Sequence, residues 1–126
     1  MILKIKTHFD AAHKLQNYDG KCSNLHGHRW EVIFCFKGAI NVDSGMVVDF
    51  SVIKPVVNRI LPDHKYLNEV YDLSEPTAER LVCCIFNDTA KAIKDADLGI
   101  ELEQIELYES PECSVIIDNR RSCCCQ

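Results

Sequence analysis

No stretch of this sequence approaches the ~20 consecutive apolar residues that a membrane span needs. The N-terminal Met1-Ile2-Leu3-Lys4-Ile5-Lys6 alternates apolar and charged residues where a signal peptide would carry an apolar core. Basic charge is also short: 14 lysines and arginines face 19 acidic residues, a formal net charge of −5. Nonspecific binding to nucleic acid or an anionic membrane needs a cationic surface, so the balance argues against both. It leaves room for a local basic pocket that takes one phosphorylated metabolite. Internal repeats and low-complexity linkers are absent as well. With 126 residues, 47% hydrophobic and 26% charged, the chain has the usage of one ordinary domain. That excludes a disordered tail protein, a collagen-like chain and a disulfide miniprotein without a core. A cytoplasmic location is the expectation.

Cysteine, by contrast, is plentiful, with eight at 22, 35, 83, 84, 113 and 123–125. The adjacent pair and the terminal run, with no secretion signal, weaken a disulfide framework. In a reducing compartment such cysteines are thiols, ligands or nucleophiles. The expected organisation is a single domain over 1–119 and a cysteine-rich tail over 120–126, read as a disordered thiol tail.

Period-two alternation runs from Leu3 to Leu15, with Leu3, Ile5, Thr7, Phe9, Ala11, His13 and Leu15 on one face and mostly charged residues on the other. After a loop rich in Asn, Asp and Gly, alternation resumes at His26, and His26, His28, Trp30, Val32, Phe34 and Phe36 share a face. The two segments predict an antiparallel hairpin. A short helix is expected near Ser51 to Leu61, with Pro55 tolerable only near its start, followed by a loop over Asp63 to Asn68. A longer helix is expected from about Glu75 to Ala96, with Ser74 as N-cap, Pro76 in the first turn and helical spacing of Ala78, Leu81, Val82, Ile85, Thr89, Ala92 and Ile93. Two last strands, Ile100 to Glu109 and Cys113 to Ile117, flank Ser110-Pro111-Glu112. The order β-β-α-α-β-β predicts class α+β, a four-stranded antiparallel sheet with two helices on one face.

Two histidines at i and i+2 of a strand point to the same side, so His26 and His28 can reach one metal ion. His13 lies on the apolar face of the first strand near the same end, and a hairpin brings all three together; His8 has the opposite parity. Three neutral imidazoles leave a fourth position open, the arrangement of a catalytic zinc. Cys22 lies in the loop four residues before His26, placed to serve as fourth ligand, as base or nucleophile, or as an inert loop thiol. Asp63-His64 fits either an acid–base pair, the carboxylate fixing the ring tautomer, or an ordinary turn. Glu109 ends the stripe Ile105, Leu107, Glu109, where a carboxylate is costly unless paired or bound, or else frays into solvent.

Phe9-Asp10-Ala11-Ala12-His13, Cys22-Ser23-Asn24-Leu25-His26-Gly27-His28, Val48-Asp49-Phe50, Asp63-His64-Lys65-Tyr66-Leu67-Asn68, Pro76-Thr77-Ala78-Glu79 and Glu109-Ser110-Pro111 together resemble the 6-pyruvoyl-tetrahydropterin synthase family. The likeness runs over about 2–117 with the motifs in family order. The C-x-x-x-H-G-H spacing is similar to that of the family's 6-carboxytetrahydropterin synthase branch, which serves queuosine and 7-deazapurine biosynthesis. The resemblance implies a tunnelling fold whose trimeric barrels stack into hexamers, with active sites between subunits. It implies zinc (Zn2+) on His13, His26 and His28, Cys22 as proton-abstracting base, Asp63 and His64 as the partner acid–base pair, and Glu109 as pterin anchor with Thr77 in the same pocket. The expected reaction is that of a lyase converting 7,8-dihydroneopterin triphosphate to 6-carboxy-5,6,7,8-tetrahydropterin, acetaldehyde and triphosphate. The alternatives are the 6-pyruvoyl-forming elimination of triphosphate and a zinc-stabilised pterin-binding module without turnover. Partners are then a small reduced pterin and further copies of the chain, with no nucleic acid and no membrane. Arg29-Trp30 departs from the family pattern, which has a small polar residue and then Tyr or Phe after the second histidine of the pair.

Overall fold

The structure, a computed structural model, describes residues 1–120. The expected tail over 120–126 lies, apart from Arg120, outside the described residues. Strand β1 (Ile2–His13) pairs antiparallel with β2 (His26–Lys37) over its whole length, from Ile2 opposite Lys37 to His13 opposite His26. The alternation sorts the faces as expected. Ile5, Phe9, Ala11 and His13 of β1 and Trp30, Val32, Phe34 and Phe36 of β2 are buried, while Lys4, Lys6 and His8 are exposed.

Helix α1 (Phe50–Ile60) starts at Asp49, whose carboxylate accepts the Ser51 N–H at 2.8 Å and so takes one of the four unpaired amides of the first turn. Pro55 is the sixth residue of this helix rather than lying near its start. It is exposed, and so is Ser51, whose carbonyl loses the bond that the proline cannot donate. Ile53 and Val57 face the core.

Where a loop was expected over Asp63–Asn68, the chain instead forms β3 (Lys65–Tyr66) and a single helical turn, α2 (Leu67–Val70). β3 pairs parallel with Ala11 and Ala12, so the sheet has five strands in the order β3-β1-β2-β4-β5 and is mixed, not four-stranded and purely antiparallel. Helix α3 (Ala78–Asp95) starts three residues later than the spacing suggests. Thr77, not Ser74, is its N-cap, and Pro76 precedes the cap instead of lying in the first turn. The apolar stripe is buried at Ala78, Leu81, Val82, Ile85, Thr89 and Ile93; the Thr89 hydroxyl donates to the Ile85 carbonyl at 2.7 Å, which removes its polar cost.

Strands β4 (Glu101–Ser110) and β5 (Cys113–Asp118) complete the α+β architecture. Residues from both helices join Phe9, Trp30, Phe34, Ile105 and Leu107 in one core. Each such side chain contributes roughly 1.5–3 kcal/mol by leaving water, and this packing fixes the two central strands that carry the histidines. Among the described residues, no helix is long and apolar enough to cross a membrane.

Candidate active site

At one end of the sheet, β1 and β2 present His13, His26 and His28 from the helix-facing side, as strand alternation requires. The rings pack 4.6 Å (His13–His26), 5.1 Å (His13–His28) and 4.8 Å (His26–His28) between centroids. Trp30, two residues further along β2, packs edge-on against His13 and His28 and closes the inner side. One ring nitrogen of each histidine lies within 4.8 Å of the others. The Nε2 atoms of all three are buried and without a hydrogen-bond partner. Three orphaned acceptors are costly in a core, and a cation between them would satisfy all three.

The other nitrogens of His13 and His26 are spoken for. His13 Nδ1 donates to the Pro76 carbonyl at 2.9 Å, and His26 Nδ1 donates to the Asn24 carbonyl at 2.7 Å. A carbonyl can only accept, so both rings carry the proton on Nδ1 and turn the Nε2 lone pair inward. Burial pushes the His13 and His28 imidazoles below their ordinary range, opposed more weakly by the Pro76 carbonyl at His13 and by Glu109 at His28. Both therefore stay neutral at neutral pH, the form that binds a metal. The residues fit the zinc that the family likeness implies.

Glu109 shares the inner side of β4 with buried Ile105 and Leu107, and its carboxylate lies 3.4 Å from His28 Nε2. That separation is beyond a good hydrogen bond but places the charge beside the trio. Cys22 sits in a 3-10 turn over Lys21–Ser23, half-buried with a free thiol. Its carbonyl accepts the Leu15 N–H at 2.8 Å, and it precedes by two residues the carbonyl that orients His26. The Thr77 hydroxyl accepts the Arg80 N–H at 3.4 Å as helix cap, and the adjacent Pro76 carbonyl orients His13. Thr77 thus directly follows the residue whose carbonyl orients His13.

Asp63 and His64 form a second cluster. His64 Nδ1 donates to Asp63 Oδ2 at 2.9 Å, both side chains being more than half exposed. The amide of Asp10 donates to the other oxygen, Oδ1, at 2.9 Å, and this bond followed by that from His64 holds the Asp63 carboxyl below the usual range. His64 has φ +57°, uncommon for a side chain with a Cβ, and its own amide donates to the Asp10 carbonyl at 2.7 Å. An open cleft of about 830 Å³ is lined by His28, Gly27, Asp10, Arg29, His64 and Tyr66, among others, so it touches one histidine of the trio and one member of the pair. Clefts of roughly 300–1,000 Å³ hold metabolite-sized ligands. Gly27 is not a conformational necessity, since an added Cβ meets nothing closer than the Ala11 carbonyl at 3.7 Å; its effect is an open cleft wall.

Two supporting residues escaped the sequence reading. Glu75 Oε1 accepts the amides of Gln16 at 2.7 Å and Asn17 at 2.8 Å, and the Asn68 side chain exchanges two hydrogen bonds with the main chain of Lys14. Together they anchor the loop that carries Cys22. Nothing local to Glu75 signals this, because its partners are 58 and 59 residues earlier.

The sequence pattern of the family described as 6-pyruvoyl tetrahydropterin synthase matches residues 2–120. The chain is 40% identical over 92 residues to the 6-carboxy-5,6,7,8-tetrahydropterin synthase of Synechocystis, a match covering 62% of this chain and 66% of that protein. It is 31% identical over 111 residues to the enzyme of the same name from Bacillus subtilis, covering 82% and 75%. Among solved structures, the 6-pyruvoyl tetrahydropterin synthase of Caenorhabditis elegans superposes with a TM-score of 0.81 at 23% identity, covering 94% of this chain and 95% of that one, which establishes the fold. The chain belongs to the 6-pyruvoyl tetrahydropterin synthase family and is a pterin-synthase-type lyase.

Proposed function

We propose that the chain is a zinc-dependent 6-carboxy-5,6,7,8-tetrahydropterin synthase. It would take 7,8-dihydroneopterin triphosphate and one water to 6-carboxy-5,6,7,8-tetrahydropterin, acetaldehyde and triphosphate, in the cytoplasm, on the route to queuosine and other 7-deazapurines. The observation that carries the reading is the convergence of three buried Nε2 atoms without hydrogen-bond partners, with the Glu109 carboxylate 3.4 Å from one of them. His13, His26 and His28 would hold the zinc. When bound, it supplies Lewis acidity that lowers the pKa of the substrate's side-chain hydroxyls.

The chain's own groups divide the remaining work. Glu109 accepts the pterin's N3–H and 2-amino protons, two parallel donors that match one carboxylate, and Thr77 contributes to the same pocket. The Cys22 thiolate takes a carbon-bound proton from the substrate side chain. His64, with Nδ1–H held by Asp63, keeps its Nε2 for proton transfer at the opposite face.

The assembly belongs to the same reading. β3 covers β1 only at Ala11 and Ala12, and β5 has no partner on its outer side among the described residues, so the sheet keeps two long open edges. Such edges pair with further copies, here as trimers stacking into a hexamer with sites between subunits. A monomer at micromolar concentration in sedimentation overturns the assembly.

One incubation tests the reaction. The zinc-loaded protein is given 7,8-dihydroneopterin triphosphate, and the pterin is identified by mass spectrometry beside an acetaldehyde assay. The carboxypterin with acetaldehyde is expected. A 6-pyruvoyl product without acetaldehyde reassigns the product within the family, and a zinc-loaded protein that binds pterin without turnover establishes a binding module instead.

A further inference from the structure

We propose that Arg29 and Asp10 are positioning residues for the Asp63–His64 pair: their cross-strand salt link keeps the Asp10 carboxylate bound to β2, so that Asp63 alone accepts the His64 Nδ1 proton. The proposal rests on the acid–base reading of that pair.

Asp10 and Arg29 stand directly opposite each other in the β1–β2 ladder, on the side turned away from the histidine trio. Arg29 Nε lies 3.0 Å from Asp10 Oδ1 and Nη2 lies 3.2 Å from Oδ2, a two-pronged contact between planar groups. The main chain of the same Asp10 holds both members of the pair, its N–H on Asp63 Oδ1 and its carbonyl on the His64 amide. Asp10 is therefore the fixed point on which a left-handed histidine and its carboxylate are mounted.

That placement carries a hazard. A carboxylate oxygen of Asp10, one of Asp63 and a ring nitrogen of His64 all lie within 4.8 Å of one another. An unoccupied Asp10 carboxylate is thus a second acceptor for the imidazole proton and a like charge facing Asp63. Arg29 occupies both of its oxygens, removes the repulsion and leaves one acceptor for the ring. The guanidinium keeps the Asp10 carboxyl below the usual range, so the link stays charged throughout the neutral region. Both donors of the aligned prong are engaged by Asp10, which favours positioning over direct capture of a substrate phosphate.

The test uses the zinc-loaded full chain and two readouts. Side-chain ¹⁵N NMR without substrate should show His64 with its proton on Nδ1 in the wild type. Arg29→Met should move the ring signals toward mixed tautomers, and the double variant Arg29→Met with Asp10→Asn should return them, because the competing charge is gone. In turnover, Arg29→Met should lower kcat about tenfold with little change in KM, and the double variant should restore most of it. Unchanged His64 signals in Arg29→Met overturn the proposal. So does a raised KM that the double variant shares, which identifies Arg29 as an anion anchor. If Arg29→Met does not fold, Arg29→Gln decides by the same readings: mixed tautomers support the device, and wild-type ring signals overturn it. A wild-type protein that turns over no pterin overturns the functional reading instead, while the ring signals still decide this one.

Discussion

The two histidine clusters at this end of the sheet are built on opposite principles. His13, His26 and His28 stand on long paired strands, with their Nδ1 or ring faces engaged and every Nε2 left without a hydrogen bond. His64 stands on a short connection, exposed to solvent, with its Nδ1 satisfied by Asp63. Burial shields the first set from water and leaves ring nitrogens that a bound cation would satisfy. Exposure next to a fixed carboxylate leaves the second free to exchange protons. On the proposed reading, the same side chain would serve as ligand or as acid–base group according to which nitrogen the fold consumes and how much water it admits.

The largest expected break in this contrast is His26→Ala. Metal content, near one zinc per chain in the wild type on the reading above, should fall by more than the roughly 10–100-fold affinity loss that removal of an outer partner causes. Elemental analysis checks it; a variant that retains full zinc removes the trio from the metal site. His64→Ala should do the converse, keeping the zinc and lowering kcat about 10²–10⁴-fold. Loss of metal in that variant would show that the clusters are not separable.

Glu75→Gln should leave both chemistries in place and cost about 0.5–1 kcal/mol of stability, since the two main-chain donors of the Cys22 loop keep an acceptor but lose its charge. Urea unfolding measures it, and an unchanged midpoint counts against the clamp. The smallest effect concerns pH in the metal-free protein. His13 and His28 have folded-state values below 6.5, so the folded form binds fewer protons than the unfolded one as pH falls. Their contribution is fully present above that value and is lost below it, as pH drops through the folded values. Thermal unfolding from about pH 8 to about pH 5 should therefore show stability declining on the acid side. A rise toward acid pH would contradict buried neutral rings.

The trio was legible because it obeys a period. His13 belongs to the odd face of β1 and His26 and His28 to the even face of β2, and a hairpin can only superpose them. The α3 stripe was legible for the same reason. What escaped depends on main-chain partners rather than on pattern. β3 is two residues long and is recognised by its pairing to Ala11 and Ala12, which leaves no trace in hydropathy. Ser74-Glu75-Pro76-Thr77 offers two residues able to cap a helix, and the structure uses Thr77, which frees the Glu75 carboxylate for the loop and the Pro76 carbonyl for His13. Asp10 reads as one more outward charge of an alternating strand, yet its amide and carbonyl hold the second cluster.

The brevity of β3 also divides the active end by local stability. His13, His26 and His28 are carried by strands of twelve residues each, inside the core that gives way only with the whole domain. Residues 63–66 are joined to the sheet by two rungs and the bonds at Asp10. Their amides should therefore exchange faster than those at the centre of β1 and β2, which hydrogen exchange measures. On the proposed reading, the metal ligands then belong to the unit expected to unfold last, and the Asp63–His64 pair to a smaller one.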